Sequence, residues 1–238
     1  MSAPKRFFVK KIKEETILSG EEFRHAKNVL RLSEGAEVTL FDGSGAEYSA
    51  VIANIGKSEM TLHVFKSGIS ERDPRAELCL LIGALKGDKT ELVVQKATEL
   101  GVGKIVVFSS KYCSAYMNEN KLFRLNRVAA EASKQCLRAT VPAVVYCDSF
   151  EEAIGSAEDY GDKLFACEFI AESEARLDGI GKSVALVVGS EGGFTREEFE
   201  FARSQGFKGI TLGKRILRAE TAAIAVLSLA AYFSGELR

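Results

Sequence analysis

The chain has 238 residues, a net charge of −1, 46 % hydrophobic residues and 27 % charged residues. That balance excludes a disordered chain and a membrane protein. The length allows one large domain or two small ones, with enough core to need no disulfide or metal staple. Five scattered cysteines (Cys79, Cys113, Cys136, Cys147, Cys167) form no C-x-x-C pair and read as small hydrophobes in a reducing compartment. His25 and His63 are too few and too far apart for a His-based zinc site, so no metal is expected. The opening MSAPKRFFVKK lacks the apolar core of a secretory signal. The apolar run AAIAVLSLAAYF near the C-terminus is too short to span a bilayer. These features predict a soluble, cytoplasmic protein.

Charge is balanced overall but not locally. Net charge is +4 over residues 1–31, −4 over 32–82, +5 over 83–146, −10 over 147–200 and +4 over 201–238. Nucleic-acid binding depends on local Lys/Arg density facing phosphates, so a net charge near zero does not exclude it. Solvated helix faces would give the same pattern.

Residues 1–70 read as mostly β. Phe7-Phe8-Val9 predicts a strand, and Ser19-Gly20-Glu21-Glu22 has the form of a capping box. The helix after it would carry Phe23, Ala26, Val29 and Leu30 on one stripe. Strands follow at Val38–Phe41, Tyr48–Ile55 and Met60–Phe65, with a turn at Asp42-Gly43-Ser44-Gly45, which together suggest a small barrel. Asp73-Pro74-Arg75 is the linker candidate.

Beyond it strands and helices alternate, which implies a parallel sheet covered on both faces. Strands are predicted at Leu78–Ile82, Ile105–Phe108, Val144–Tyr146, Leu164–Ala166, Val184–Val188 and Gly209–Leu212. Helices are predicted from Asp88, the expected cap with Glu91 at N3, to Gly101, and over Asn120–Leu137, Thr195–Arg203 and about Glu220–Phe233.

Standard nucleotide fingerprints are absent. No G-x-G-x-x-G follows a strand, and Gly209–Arg215 is one residue short of a phosphate loop. Two other segments stand out. Gly189-Ser190-Glu191-Gly192-Gly193-Phe194 directly follows a buried strand, where glycines let backbone approach a ligand. Leu212–Ala222 holds Ile216-Leu217 between charges and puts Arg218 and Glu220 where a helix begins. An Ile-Leu pair in a loop suits the wall of a pocket for a flat apolar group. Core packing, with Glu220 complementing the helix dipole, is the alternative.

With these segments the chain resembles the bacterial 16S ribosomal RNA (uracil-N3)-methyltransferases, the RsmE family of the SPOUT superfamily. The resemblance is carried by Lys86-Gly87-Asp88-Lys89, by Gln95–Val102 and by Glu131-Ala132…Gln135…Arg138. It continues through the two glycine segments, and Phe23…His25…Val29–Leu32 and Phe41-Asp42-Gly43 add weaker matches. It departs at Ser190, where the family usually has proline, and at Lys134 and Leu137. Lys111-Tyr112 stand near where Glu-Arg is frequent.

The resemblance implies an α/β protein with an N-terminal PUA-like β-barrel (1–72) that binds RNA. A SPOUT methyltransferase domain (75–238) with a C-terminal trefoil knot would follow. General rules argue against knots, so that feature rests on resemblance alone. The implied cofactor is S-adenosylmethionine, and the implied partners are 16S rRNA in the small ribosomal subunit and a second copy of the chain.

Cofactor contacts are expected from Gly189, Gly193, Leu212, Gly213, Ile216, Leu217, Ala219, Thr221 and Ala222. N3 of uridine must lose a proton before it attacks a methyl group, so a cation near O2 or O4 helps. Arg218 is the candidate cation, and Glu191 or Glu220 the candidate proton acceptor or partner of Arg218. RNA contacts are expected from Lys5, Arg6, Lys10, Lys11, Arg24 and Arg31, and from Lys86, Lys89, Gln135 and Arg138. N3 lies on the Watson–Crick edge, so the target must be unpaired or flipped. A non-catalytic ribosome-assembly factor and a phosphate-using small-molecule enzyme are the competing readings.

Overall fold

The computed structural model describes residues 5–170, 173, 174 and 176–237. The chain divides into two compact units. The first comprises residues up to Asp73 together with Ser133–Val141, and the second comprises Pro74–Ala132 and the rest from Pro142.

The first unit is built on a five-stranded sheet. Its strands are β1 (Arg6–Phe8), β2 (Glu15–Ser19), β3 (Glu37–Phe41), β4 (Ala46–Ile55) and β5 (Glu59–Ile69). Their order is β1-β3-β4-β5-β2, with β1 parallel to β3 and the other pairs antiparallel. The end strands β1 and β2 are not paired with each other, so the sheet is an open half-barrel. Register shifts near Ser49/Ala50 and Ile52/Asn54 bend β4 against β5. Phe7, Leu18, Phe23, Leu40, Met60 and Leu62 fill its core.

Helix α1 (Gly20–Arg24) continues as a π-helical turn over His25–Val29. The wider turn breaks the expected stripe: Phe23 and Ala26 are buried, but Val29 is exposed. Ser19 stands at the N-cap but its side chain makes no capping bond, so the expected capping box is not formed.

Arg6, Asp73 and Lys134 hold Ser133–Val141 in this unit. Arg6 pairs with Glu47, donates to the Arg138 carbonyl at 2.7 Å and lies over the Phe41 ring. Asp73 Oδ1 accepts from the Ala139 N–H, the Thr140 N–H and the Thr140 hydroxyl, each at 2.9 Å. Lys134 donates to both carboxylate oxygens of Glu22, at 3.0 and 2.8 Å.

The second unit is a six-stranded, wholly parallel sheet. Its strands are β6 (Glu77–Gly83), β7 (Lys104–Phe108), β8 (Ala143–Cys147), β9 (Asp162–Ala166), β10 (Ser183–Val188) and β11 (Lys208–Ile210). The order is β11-β9-β10-β6-β7-β8. The central strands are buried because helices cover the faces. These are α2 (Lys89–Glu99), α3 (Glu119–Cys136), α4 (Phe150–Gly155), α5 (Arg196–Ser204) and α6 (Ala219–Phe233). Asp88 takes the N-cap position of α2 without a side-chain bond, while Gly101 leaves that helix at φ +89°. Thr195 forms the expected capping box with Glu198.

The chain places β7 and β8 on one side of β6, then returns to lay β10 and β9 on the other. Ligand crevices in such sheets open beyond the carboxyl ends of the strands where the order reverses. Here that point is the end of β6 and β10, whose last paired residues are Ile82 and Val188.

Candidate functional site

Three loops leave the carboxyl edge of this sheet at that reversal. They follow β6 (84–88), β10 (189–194) and β11 (211–218). The first two fit against each other with no room for a side chain. A Cβ on Gly83 would lie 2.5 Å from the Ser190 nitrogen. A Cβ on Gly189 would strike the Phe194 ring at 2.9 Å, and one on Gly192 would lie 2.6 Å from Tyr112 Cβ. Phe194 is buried among Phe108, Phe150 and Phe165, with ring centroids 4.4 Å apart for Phe165. The loop is thus pinned by an aromatic core, and two of its glycines answer to protein packing. Gly193, at φ +68°, faces Glu168 Oε1, which a Cβ would approach to 2.9 Å.

A lysine ties the loops electrostatically. Lys89, the first residue of α2, places its ammonium 3.2 Å from Glu191 Oε1 and 3.7 Å from Glu220 Oε2. The Lys86 N–H donates to the same Glu191 oxygen at 3.1 Å. Burial acts to raise the Glu191 pKa. The backbone N–H groups of Glu191 and Lys86, with the Lys89 charge, outweigh it and hold the carboxyl below its ordinary value. Glu220 Oε2 is buried and accepts no hydrogen bond among the described residues, and the Lys89 ammonium is its charge partner. Arg218 caps the start of α6 in an extended conformation, and its side chain is exposed.

Beside this cluster lies a cleft of about 750 Å³. One wall is Leu212, Gly213, Ile216 and Leu217, with Ala222 of α6 beyond them. The other is Ala166, Cys167 and Glu168 at the end of β9, with Ile170. Ile216, 94 % exposed, stands at the mouth of this cleft and offers it an uncovered apolar side chain. Gly213 turns the loop at φ +98°, which only glycine adopts without strain.

Of the expected cofactor residues, Leu212, Gly213, Ile216, Leu217 and Ala222 line this cleft. Gly189, Gly193, Ala219 and Thr221 do not. Ala219 is buried, Thr221 is exposed, and Gly193 reaches the cleft only through Glu168. The β9 wall was not foreseen. Its signal is the carboxyl end of a parallel strand adjacent to β10.

The expected RNA contacts divide. Lys5, Lys10, Lys11, Arg24 and Arg31 are exposed on the first unit, as are Gln135 there and Lys86 on the second. Arg6, 4 % exposed, and Arg138, 3 % exposed, are corrections: both are structural cations with internal partners, and neither presents a charge to phosphate. Lys89 is likewise engaged by two carboxylates.

Comparison with known proteins places this geometry. Residues 71–231 match the RNA methyltransferase domain family, and residues 18–65 match the RNA methyltransferase PUA domain. The ribosomal RNA small subunit methyltransferase E of Bacillus subtilis is 30 % identical, covering 93 % of this chain and 91 % of that protein. Its Rickettsia conorii counterpart is 32 % identical, covering 89 % and 87 %.

The chain belongs to the ribosomal RNA small subunit methyltransferase E family.

A crystal structure of a methyltransferase E from Neisseria gonorrhoeae bound to S-adenosylmethionine superposes with TM-score 0.83 at 29 % identity, covering 94 % of each chain. A Legionella pneumophila protein solved with the same cofactor superposes with TM-score 0.86 at 27 % identity, covering 96 % and 97 %. A methyltransferase E cofactor has a flat adenine and a charged sulfonium arm. The cleft fits it, with an apolar wall from Leu212, Ile216 and Leu217 and a side-chain-free turn at Gly213. This methyltransferase E chain also has a buried, inert thiol at Cys79, whose pKa burial pushes up to about 11, so a cysteine nucleophile there is excluded.

Proposed function

We propose that this chain transfers the methyl group of S-adenosylmethionine to N3 of a uridine in 16S rRNA of the small ribosomal subunit. The observation that carries the reading is the conjunction at one sheet edge of an apolar cleft with an exposed cation, Arg218, and the Lys89-bridged carboxylates. The cofactor supplies an electrophilic methyl on sulfur; the chain supplies position, charge and a proton acceptor.

Leu212, Ile216 and Leu217 hold the adenine edge and exclude water from it. Arg218 faces the carbonyl oxygens flanking N3 and stabilises the uracil anion. Glu191, the more exposed of the two carboxylates, takes the N3 proton; Glu220, half-buried, fixes Lys89. Reach decides this assignment before basicity does. The depressed pKa of Glu191 keeps it anionic at neutral pH.

The first unit is the RNA-holding domain, with Lys5, Lys10, Lys11, Arg24 and Arg31 supplying phosphate contacts, and the second unit is the catalytic domain. The family's C-terminal trefoil knot belongs to this reading and is compatible with the strand order. So does a homodimer, supported by Leu229 and Tyr232, which α6 leaves exposed. Five free cysteines suit a cytoplasmic protein.

The test is methyl transfer by the Arg218→Ala variant. Turnover falls by about 10²–10³ while cofactor binding persists. Unchanged turnover in a folded variant contradicts the role of Arg218.

A further inference from the structure

The segment between β7 and α3 carries more exposed aromatic surface than a plain connection needs. Tyr112 is 51 % exposed, Tyr116 is 73 % exposed and Phe123, in the first turns of α3, is 67 % exposed. Cations accompany them. Lys121 donates to the Tyr116 carbonyl and lies 5.9 Å from its ring centroid. Residues 111–127 carry a net charge of +3.

The segment is also held firmly, by its backbone rather than by its rings. Glu198 Oε1 accepts from the Lys111 N–H at 3.0 Å, while its Oε2 caps Thr195. The Ser190 hydroxyl and the Cys113 thiol donate to the Tyr112 and Ala84 carbonyls, at 3.5 and 3.1 Å. Tyr112 sits so close to Gly192 that only glycine fits there, which puts the tyrosine beside Glu191.

We infer that Lys111, Tyr112, Tyr116, Lys121 and Phe123 form a platform for the single-stranded RNA that flanks the target nucleotide. Bases stack on the rings and the lysines meet the phosphates. Rigid backbone, exposed rings and interleaved cations are what sequence-tolerant single-strand binding requires. The positive charge complements a polyanion. The inference rests on the RNA-methylating reading of the adjacent site and names which surface positions that RNA.

The experiment uses Tyr112→Leu and Tyr116→Leu, with Tyr112→Phe and Tyr116→Phe as ring-retaining controls. Oligouridine is titrated against each protein and followed by tyrosine emission, which no tryptophan obscures in this chain. Methyl transfer to small ribosomal subunits is measured in parallel. The leucine variants should bind oligouridine about five- to a hundredfold more weakly, with KM for subunits rising similarly and cofactor affinity unchanged. The phenylalanine variants should keep wild-type values. Leucine variants that bind oligouridine as tightly as wild type overturn the platform. If the wild type methylates no RNA but the leucine variants still lose oligouridine binding, the platform stands and the methylation reading falls.

Discussion

The Lys89 ammonium lies 3.2 Å from Glu191 Oε1, so the first residue of α2 is tied to the glycine loop after β10. Replacing Lys89 with methionine removes one of the contacts that depress the Glu191 pKa. The carboxyl then titrates nearer its ordinary value of 4.5. The acid limb of the rate profile moves to higher pH, and carboxyl-carbon NMR shows the same shift. The sign for stability follows. Glu191 is depressed in the folded state, so its stabilisation is complete above 4.5 and is lost as pH falls through the lower folded value. The melting difference between wild type and Lys89→Met is therefore largest near neutral pH and shrinks in acid.

Arg6 and Lys10 separate structure from RNA contact. Arg6→Ala takes the cation from Glu47, which keeps only the Ser70 hydroxyl as a donor, and the donor from the Arg138 carbonyl, and costs about 3 kcal/mol in urea unfolding. It leaves the salt dependence of RNA binding unchanged. Lys10→Ala barely alters stability and lowers the slope of log affinity against log salt by about 0.7–0.9.

Glycines at the site edge answer to packing. Gly83→Ala forces a Cβ to within 2.5 Å of the Ser190 nitrogen and costs about 1–3 kcal/mol, with weaker cofactor binding. Gly68→Ala, which meets nothing within 4 Å, is the neutral control. Chemical unfolding and calorimetric cofactor titration measure the two effects.

Two candidate caps behave differently. Thr195→Ala removes a real capping bond to the Glu198 N–H at 3.1 Å and costs about 1 kcal/mol. Ser19→Ala removes none, and its unfolding curve overlays that of the wild type.

The sheet of the second unit was legible because its strands are continuous apolar runs broken by glycine and caps. Less was legible where the pattern is irregular. Strand β2 escaped because Thr16 points in and Ile17 out, against their polarity. Helix α4 escaped although Ser149 and Glu152 mark its start, since it is only six residues long. Among site residues, the glycine loops and the Ile216-Leu217 wall stood out by composition. Lys89 was read as an RNA contact rather than a bridge, because its pairing with Glu191 and Glu220 is a relation between loops far apart in sequence. The burial of Arg6 was hidden for the same reason, since its partners are Glu47 and the Arg138 carbonyl.

The most direct measurement is transfer from labelled S-adenosylmethionine to small ribosomal subunits taken from cells lacking this activity, followed by nucleoside analysis. Wild type is expected to yield 3-methyluridine, and Arg218→Ala about 10²–10³-fold less at equal time. A wild-type protein that binds the cofactor yet yields a different methylated nucleoside, or none, would contradict the proposed function.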